Sequence, residues 1–190
     1  MANLPISQLP EITSGLTANA EFAVSQGGTT YRVKTTNLAY GRPHISAYNV
    51  PSQSGFTANT VYSISASTVS ESYNISVVDG CKFTVSSGGT YNFQFSLQLD
   101  KVQGGGSENI DIWLSKNNVD VDWSNTRLTL ANNSNLLVAS WNFVIDLNAN
   151  DYLELKINVT SSDIILRSIT SLTSPNRPSI PSAIITIVQV

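Results

Sequence analysis

One histidine, His44, and one cysteine, Cys81, are all the imidazole and thiol that this chain of 190 residues contains. That excludes most nucleophilic and metal chemistry at the outset. A catalytic thiol needs a base beside it, and nothing in the spacing brings His44 to Cys81, so Cys81 reads as a small buried hydrophobe. With a single cysteine there is no intrachain disulfide. Carboxylates remain. Asp111, Asp120 and Asp122, with Asp100 near them, have the oxygen chemistry that Ca²⁺ prefers, but their alternation with apolar residues reads as the solvent face of strands. A pair for glycoside hydrolysis would come from Asp111, Asp120, Asp122, Asp146, Asp151 or Glu154, and no spacing selects one. No Gly-x-x-x-x-Gly-Lys loop, Gly-x-Ser-x-Gly elbow or Cys-x-x-Cys is present. The expectation is a protein that is not an enzyme and needs no cofactor or metal. Among the three tryptophans, Trp141 is in phase with Phe143 and reads as core. Trp113 falls on the polar face of its strand, out of phase with Ile112 and Leu114, and is expected at an interface, with a lateral fit in the second sheet or a glycan contact as the alternatives. Trp123 ends a strand and fits either reading.

The segments that must carry these residues are strands. From Tyr91 to Leu99 every odd position is apolar and every even one polar, a period of two that puts Tyr91, Phe93, Phe95, Leu97 and Leu99 on one buried face. Alternation recurs in Ile110–Leu114, Leu136–Leu147 and Tyr152–Thr160. Shorter strands are expected over His44–Val50, Val61–Ser65, Tyr73–Val78, Lys82–Val85, Val119–Trp123, Thr126–Leu130 and Ile164–Ile169. No helix of useful length is written in the pattern. Eight to ten strands punctuated by turns mean an all-β sandwich or barrel. Pro175, Pro178 and Pro181 mark a rigid loop before the last strand.

Charged residues make up 12% of the chain and net charge is −3, against about 25% charged in an average domain. Ser, Thr, Asn and Gln carry the solubility. No basic footprint for nucleic acid exists, no run approaches the ~20 apolar residues of a membrane span, and Met1–Pro5 lacks the form of a signal peptide. Synthesis in a cytoplasm is the expectation. Residues 1–42 differ from the rest. Phe22 and Val24 are expected to share a hairpin face with Tyr31 and Val33 around the turn Gly27-Gly28. Ile6 and Leu9 lie in a proline-bounded extended stretch before it. Because an isolated hairpin is marginal in water, these six residues are candidates for docking on a partner. Residues 43–190 form the main domain.

Ala183–Val190 is apolar on both faces, which a surface strand should not be. The outward face needs a cover; a second copy of the chain is the simplest one, and the N-terminal hairpin is the alternative. Ile185, Ile187, Val188 and Val190, with Trp113, are the interface candidates.

Two resemblances add to this reading. Phe83, five residues, then Gly89-x-Tyr91-x-Phe93-x-Phe95 resembles the signature of complement 1q-like globular heads, relatives of the tumour necrosis factor jelly roll. Ser76 departs from it, standing where that family has an aromatic or Leu. The resemblance implies a jelly-roll β-sandwich that assembles as a homotrimer. Residues 6–10 (Ile-Ser-Gln-Leu-Pro), Leu16-Thr17, Glu21-Phe22 and Gly28–Val33 resemble the start of many tailed-phage virion proteins. Ile112–Arg127, Trp141–Phe143 and Asp151–Leu155 resemble such proteins carrying this jelly roll. These imply a bacteriophage structural protein (head fibre, decoration protein, or short tail fibre or spike) located on the virion and joined to a capsid or tail protein by its N-terminal segment. They also leave open a host-glycan or receptor-binding module of a tail fibre, using loops such as Val102–Glu108 or Ala131–Asn135.

Overall fold

A computed structural model describes residues 21–34, 41–103, 105–131 and 136–190. The chain divides into two units at Gly41/Arg42.

In the N-terminal unit, β1 (Glu21–Gln26) and β2 (Thr29–Lys34) form an antiparallel hairpin. Gly27 and Gly28 both have positive φ, at 59° and 78°, the two-residue turn whose twist suits a hairpin. Phe22 lies opposite Val33 and Val24 opposite Tyr31. Val24 and Tyr31 are exposed and Phe22 is half-buried. Ile6 and Leu9 lie outside the described residues.

The second unit contains no helix among its described residues. Its principal strands are β3 (His44–Asn49), β7 (Lys82–Val85), β8 (Gly89–Lys101), β9 (Ser107–Lys116), β11 (Thr126–Ala131), β12 (Leu137–Leu147), β13 (Tyr152–Val159) and β17 (Ala183–Gln189). Taken in that order, the first pairs the last, the second the seventh, the third the sixth and the fourth the fifth, all antiparallel. This nesting is one long hairpin rolled into two sheets, which is the jelly roll. The rolling is closed by β17 lying against β8 and β13 against β9. One sheet has six strands, five in the path β12-β8-β17-β3-β5, where β5 is Thr68–Tyr73, with β14 (Ile164–Leu166) also on β8; the other has seven, five in the path β10-β9-β13-β7-β6, with β6 at Ile75–Val78 and β10 at Val119–Asp120, and with β11 also on β9 and β4 (Val61–Ser63) on β13.

Alternation decides what lies between the sheets. Tyr91, Phe93, Leu97 and Leu99 from one sheet meet Phe83, Ile112, Leu114, Leu153, Leu155 and Ile157 from the other, all fully buried. Phe83 and Phe93 touch edge to face, with ring centroids 6.2 Å apart. Phe95 packs edge on against Trp141 at 4.4 Å. Gly89 opens β8 at φ +154°, and a Cβ there would run into the Gln189 side chain, whose amide donates to the Gly88 carbonyl at 3.1 Å. The glycine of the Phe83–Phe95 motif is thus required by its backbone conformation, since the Gln189 contact is with the end of a flexible side chain that can swing aside.

Two sequence expectations need correcting here. Tyr73–Val78 is not one strand: Asn74 takes φ 56° and carries the chain from β5 in one sheet to β6 in the other. Asparagine tolerates that left-handed geometry, and Thr68–Tyr73 is too polar to announce itself as a strand. Val119–Trp123 is not a strand beyond Asp120; the chain turns, and Trp123 sits at φ 65°. The proline-rich stretch holds a small hairpin, β15 (Leu172–Thr173) with β16 (Asn176–Arg177).

Candidate association surface

β17 is a central strand, paired with β8 on one edge and β3 on the other. Its two-sided apolar pattern therefore divides between core and exterior. Ala183, Ile185 and Ile187 point inward and are fully buried, whereas Ile184 (39% exposed), Val188 (37%) and Val190 (58%) point out, with Thr186 half-buried between them. This corrects the expectation for Ile185 and Ile187: both belong to the chain's own core and are not available to a partner. Val188 and Val190 do lie on the outer face, and Ile184 joins them. Sequence spacing contained the two phases but not which one faced in.

The outer face can be read row by row from the register. Ser140, Ser96, Ile184, Tyr48 and Thr68 form one row; Asn142, Gln94, Thr186, Ser46 and Glu71 the next; Val144, Asn92, Val188, His44 and Tyr73 the third. Of these fifteen positions only Glu71, on the edge strand β5, carries a formal charge with His44 neutral. The polar groups are small and turned on one another. Asn142 Nδ2 donates to Asn92 Oδ1 at 3.2 Å, and just beyond the third row Thr90 Oγ1 donates to Asp146 Oδ1 at 2.6 Å. His44 stacks on Tyr73 with centroids 6.2 Å apart. Ile184 stands between two shallow hollows. One, of about 390 Å³, has amide and hydroxyl walls including Gln94, Ser96, Ser140 and Asn142. The other, of about 350 Å³, is walled by Tyr48, Val50 and Pro181.

Trp113 is not on this surface. It lies on β9 in the other sheet, half-buried, and its Nε1 donates to Asp120 Oδ1 at 2.7 Å. Its polar-face position reflects a lateral fit with the following turn, not a free contact residue. The tryptophan that is fully exposed is Trp123. Its sequence gave no sign of that, because exposure there depends on the backbone turning out of the strand.

Candidate chemistry elsewhere resolves into structural pairs. Asp111 accepts two hydrogen bonds from Arg127 at 2.8 Å each, and Asp100 pairs with Arg167. Ser63 Oγ donates to Glu154 Oε1 at 2.8 Å, and Lys156 Nζ reaches Ser63 Oγ at 2.8 Å and Glu154 at 3.1 Å. The three side chains close a hydrogen-bonded network, with Glu154 accepting from both Ser63 and Lys156. Cys81 lies 3.9 Å from the same carboxylate. Burial first, then the Glu154 charge, pushes its thiol up from the ordinary value, away from the thiolate that would react. Among the described residues no group of three or more His, Cys, Asp or Glu could hold a metal ion, and no helix is long and apolar enough to cross a membrane. Gly104 and residues 132–135, within the loops considered for receptor contact, lie outside the described residues.

Fold and surface together define the class: a two-sheet jelly-roll module whose most distinctive exterior feature is a nearly uncharged sheet face. No protein-family model and no curated protein matches the chain. Among solved structures it is similar to the globular domain of zebrafish complement 1qA protein, with a TM-score of 0.46 and 15% identity over 79% of this chain and 98% of that one.

Proposed function

We propose that this chain is a non-catalytic structural protein that closes into a homotrimer through the outer face of its six-stranded sheet and is held on a tailed-phage virion by its N-terminal unit, as a head fibre, decoration protein, or short tail fibre or spike. The observation that carries the reading is the outward row structure of β17 and its neighbours, where exposed Ile184 and Val188 stand in rows whose one formal charge is Glu71 at the edge, with exposed Val190 beyond them beside Thr90. Only the apolar part of such a surface counts, at about 2.5 kcal/mol per 100 Å² covered before the entropic costs of association. The number three comes from the resemblance of the Phe83–Phe95 motif to complement 1q-like heads. The virion setting comes from the resemblance of residues 6–33 to phage attachment segments. An exposed Val24 and Tyr31 on a two-stranded hairpin agree with a surface that needs a partner.

Light scattering of the full chain after size exclusion tests the assembly. The expected mass is three times that of the 20.5 kDa chain, and a stable monomer at micromolar concentration sinks the reading. Attachment is tested by comparing incorporation of the full chain and of a chain lacking residues 1–42 into particles. Loss is expected; undiminished incorporation removes the anchor role.

A further inference from the structure

Trp123 is the most exposed large hydrophobic side chain among the described residues, yet its backbone is held firmly. Ser124, the next residue, is buried; its hydroxyl accepts from the Leu114 amide at 3.0 Å and donates to the Val121 carbonyl at 2.7 Å. Trp123 takes φ 65°, a left-handed geometry unfavourable for a bulky aromatic residue. A pinned turn thus presents a flat indole to water, where its apolar faces cover nothing. The ring borders an open hollow of about 160 Å³, whose other walls include Val121, Asp122, Phe143, Val144 and Ile145. A cavity of about 150 Å³ takes one six-membered ring, so this hollow matches a single ring in size.

The chemistry of the walls narrows what that ring carries. Asp122 is the one charged residue lining the hollow, and its exposed carboxylate has no partner among the described residues. No cation lines it; nearby in the chain, Lys116 is held by Asp151 and Arg127 by Asp111. A phosphate or any other anion would therefore meet only a like charge. The Ser124 hydroxyl is committed to backbone groups. What remains is a flat π face, aliphatic walls and one free acceptor. The complement is a ring with an apolar face and O–H donors around its edge. A pyranose of glucose configuration has that shape: its hydroxyls are equatorial, so both faces present C–H groups. An organic cation also suits an indole beside a carboxylate, but in so open a hollow it keeps its water and the contact is weak, while the aliphatic walls offer it nothing.

We infer that Trp123 is the platform of a saccharide site: one neutral, glucose-configured pyranose ring stacks on the indole, and Asp122 accepts from one of its hydroxyls. The site does not depend on self-association. It is tested on the full chain with wild type, Trp123→Ala, Trp123→Phe and Asp122→Ala. Trp113 and Trp141 are half-buried, so quenching of tryptophan fluorescence by acrylamide is expected to come mainly from Trp123 and to fall in Trp123→Ala. Cellohexaose, maltohexaose and chitohexaose are the probes, each up to about 10 mM, since one ring in a shallow hollow binds at roughly millimolar concentration. They are expected to protect wild type from acrylamide and to shift the one indole N–H resonance that Trp123→Ala lacks. Saturation transfer to the sugars gives the affinities. Trp123→Ala is expected to weaken binding about tenfold or more, as for a ring stacked on an aromatic side chain, and Trp123→Phe, which keeps a flat ring, to restore part of it. Circular dichroism reports folding, and Asp122→Ala, expected to weaken binding severalfold, replaces Trp123→Ala should the latter misfold. Neither protection nor a shifted resonance with any of these sugars overturns the inference. Equal sugar binding by wild type and both alanine variants also overturns it. Tetramethylammonium moving the Trp123 resonance where the sugars do not would assign the hollow to cations instead. A wild type as poorly quenched as Trp123→Ala would show the indole already covered, and the site falls. Sedimentation of the same samples reports assembly separately, so a monomer that binds these sugars removes the trimer and leaves the site standing.

Discussion

The outer faces of the two sheets are finished for different surroundings. On the seven-stranded sheet the outward residues form ion pairs: Arg127 with Asp111, Lys156 with Glu154, and near the ends Lys116 with Asp151 and Lys82 with Asp79. On the six-stranded sheet, three middle rows of outward residues hold hydroxyls, amides, three aromatic rings and branched aliphatics, with one carboxylate at the edge, and charges return only near the ends, at Asp146 and at Asp100 with Arg167. Lys156 and Glu154 form a buried pair, but the more exposed ones, such as Lys82 with Asp79, add little to stability, typically about 0–1 kcal/mol each. Their value is in keeping a surface wet and unattractive to other protein. Where they are missing, a surface resembles the charge-poor core of an interface. The contrast teaches that the two outer faces differ in charge: one is laced with ion pairs, and the middle rows of the other are nearly free of them.

The sharpest way to break that contrast is to put one charge on each side of the same strand. Ile187→Asp places a carboxylate in the fully buried core and is expected to cost more than about 4 kcal/mol, unfolding the domain. Ile184→Asp, three residues earlier and facing out, is expected to change monomer stability by less than about 1 kcal/mol and to abolish self-association. Thermal melts followed by circular dichroism, with sedimentation on the same samples, check both. Equal loss of folding by the two variants would mean that the outward face is not a surface at all.

A smaller effect is expected from the opposite sheet. Glu154 is 3% exposed and accepts from Ser63 while pairing Lys156. Glu154→Gln keeps the shape and leaves Lys156 without its counter-charge, expected to cost about 3 kcal/mol. Sedimentation is expected to remain that of the wild type. A change in assembly from this variant would erase the distinction between the faces.

Much of the sandwich was legible because a half-buried strand writes its burial into a period of two. Tyr91–Leu99, Leu136–Leu147 and Tyr152–Thr160 could be read directly, and the jelly roll implied by the resemblance of the Phe83–Phe95 motif to complement 1q-like heads has the nesting of strands that the register contains. What failed to read were features set by the backbone. Thr68–Tyr73 is an edge strand with little to bury, so its residues carry no alternation. Trp123 looked like the end of a strand because the turn at φ 65° has no glycine to mark it. The interface residues illustrate a third kind of loss. A strand apolar on both sides announces that each side meets something, but only its neighbours decide which side is the core, and Ile185 and Ile187 were on the wrong one.

The mildest prediction concerns the join between turns at the rim of the seven-stranded sheet. Asp151 accepts from the Asn117 side-chain amide and from the Asn148 backbone amide, each at 2.7 Å, and pairs Lys116 at 3.0 Å. The Asn117 hydrogen bond first, then the Asn148 amide, with a lesser part from Lys116, hold its carboxyl down from 3.8 to about 2. A carboxylate whose folded value is depressed binds its proton more readily when unfolded. Its stabilisation is therefore fully present above about pH 4 and is lost as pH falls through about 2. Asp151→Asn removes the charge and reverses one acceptor into a donor. The variant is expected to melt a few degrees below wild type at neutral pH, and the gap is expected to close between pH 4 and pH 2, because only wild type has this stabilisation to lose. Paired melting curves across that interval isolate Asp151 from the other carboxylates, which titrate in both proteins. A gap that persists at pH 2 would assign the loss to altered turn geometry and not to the charge.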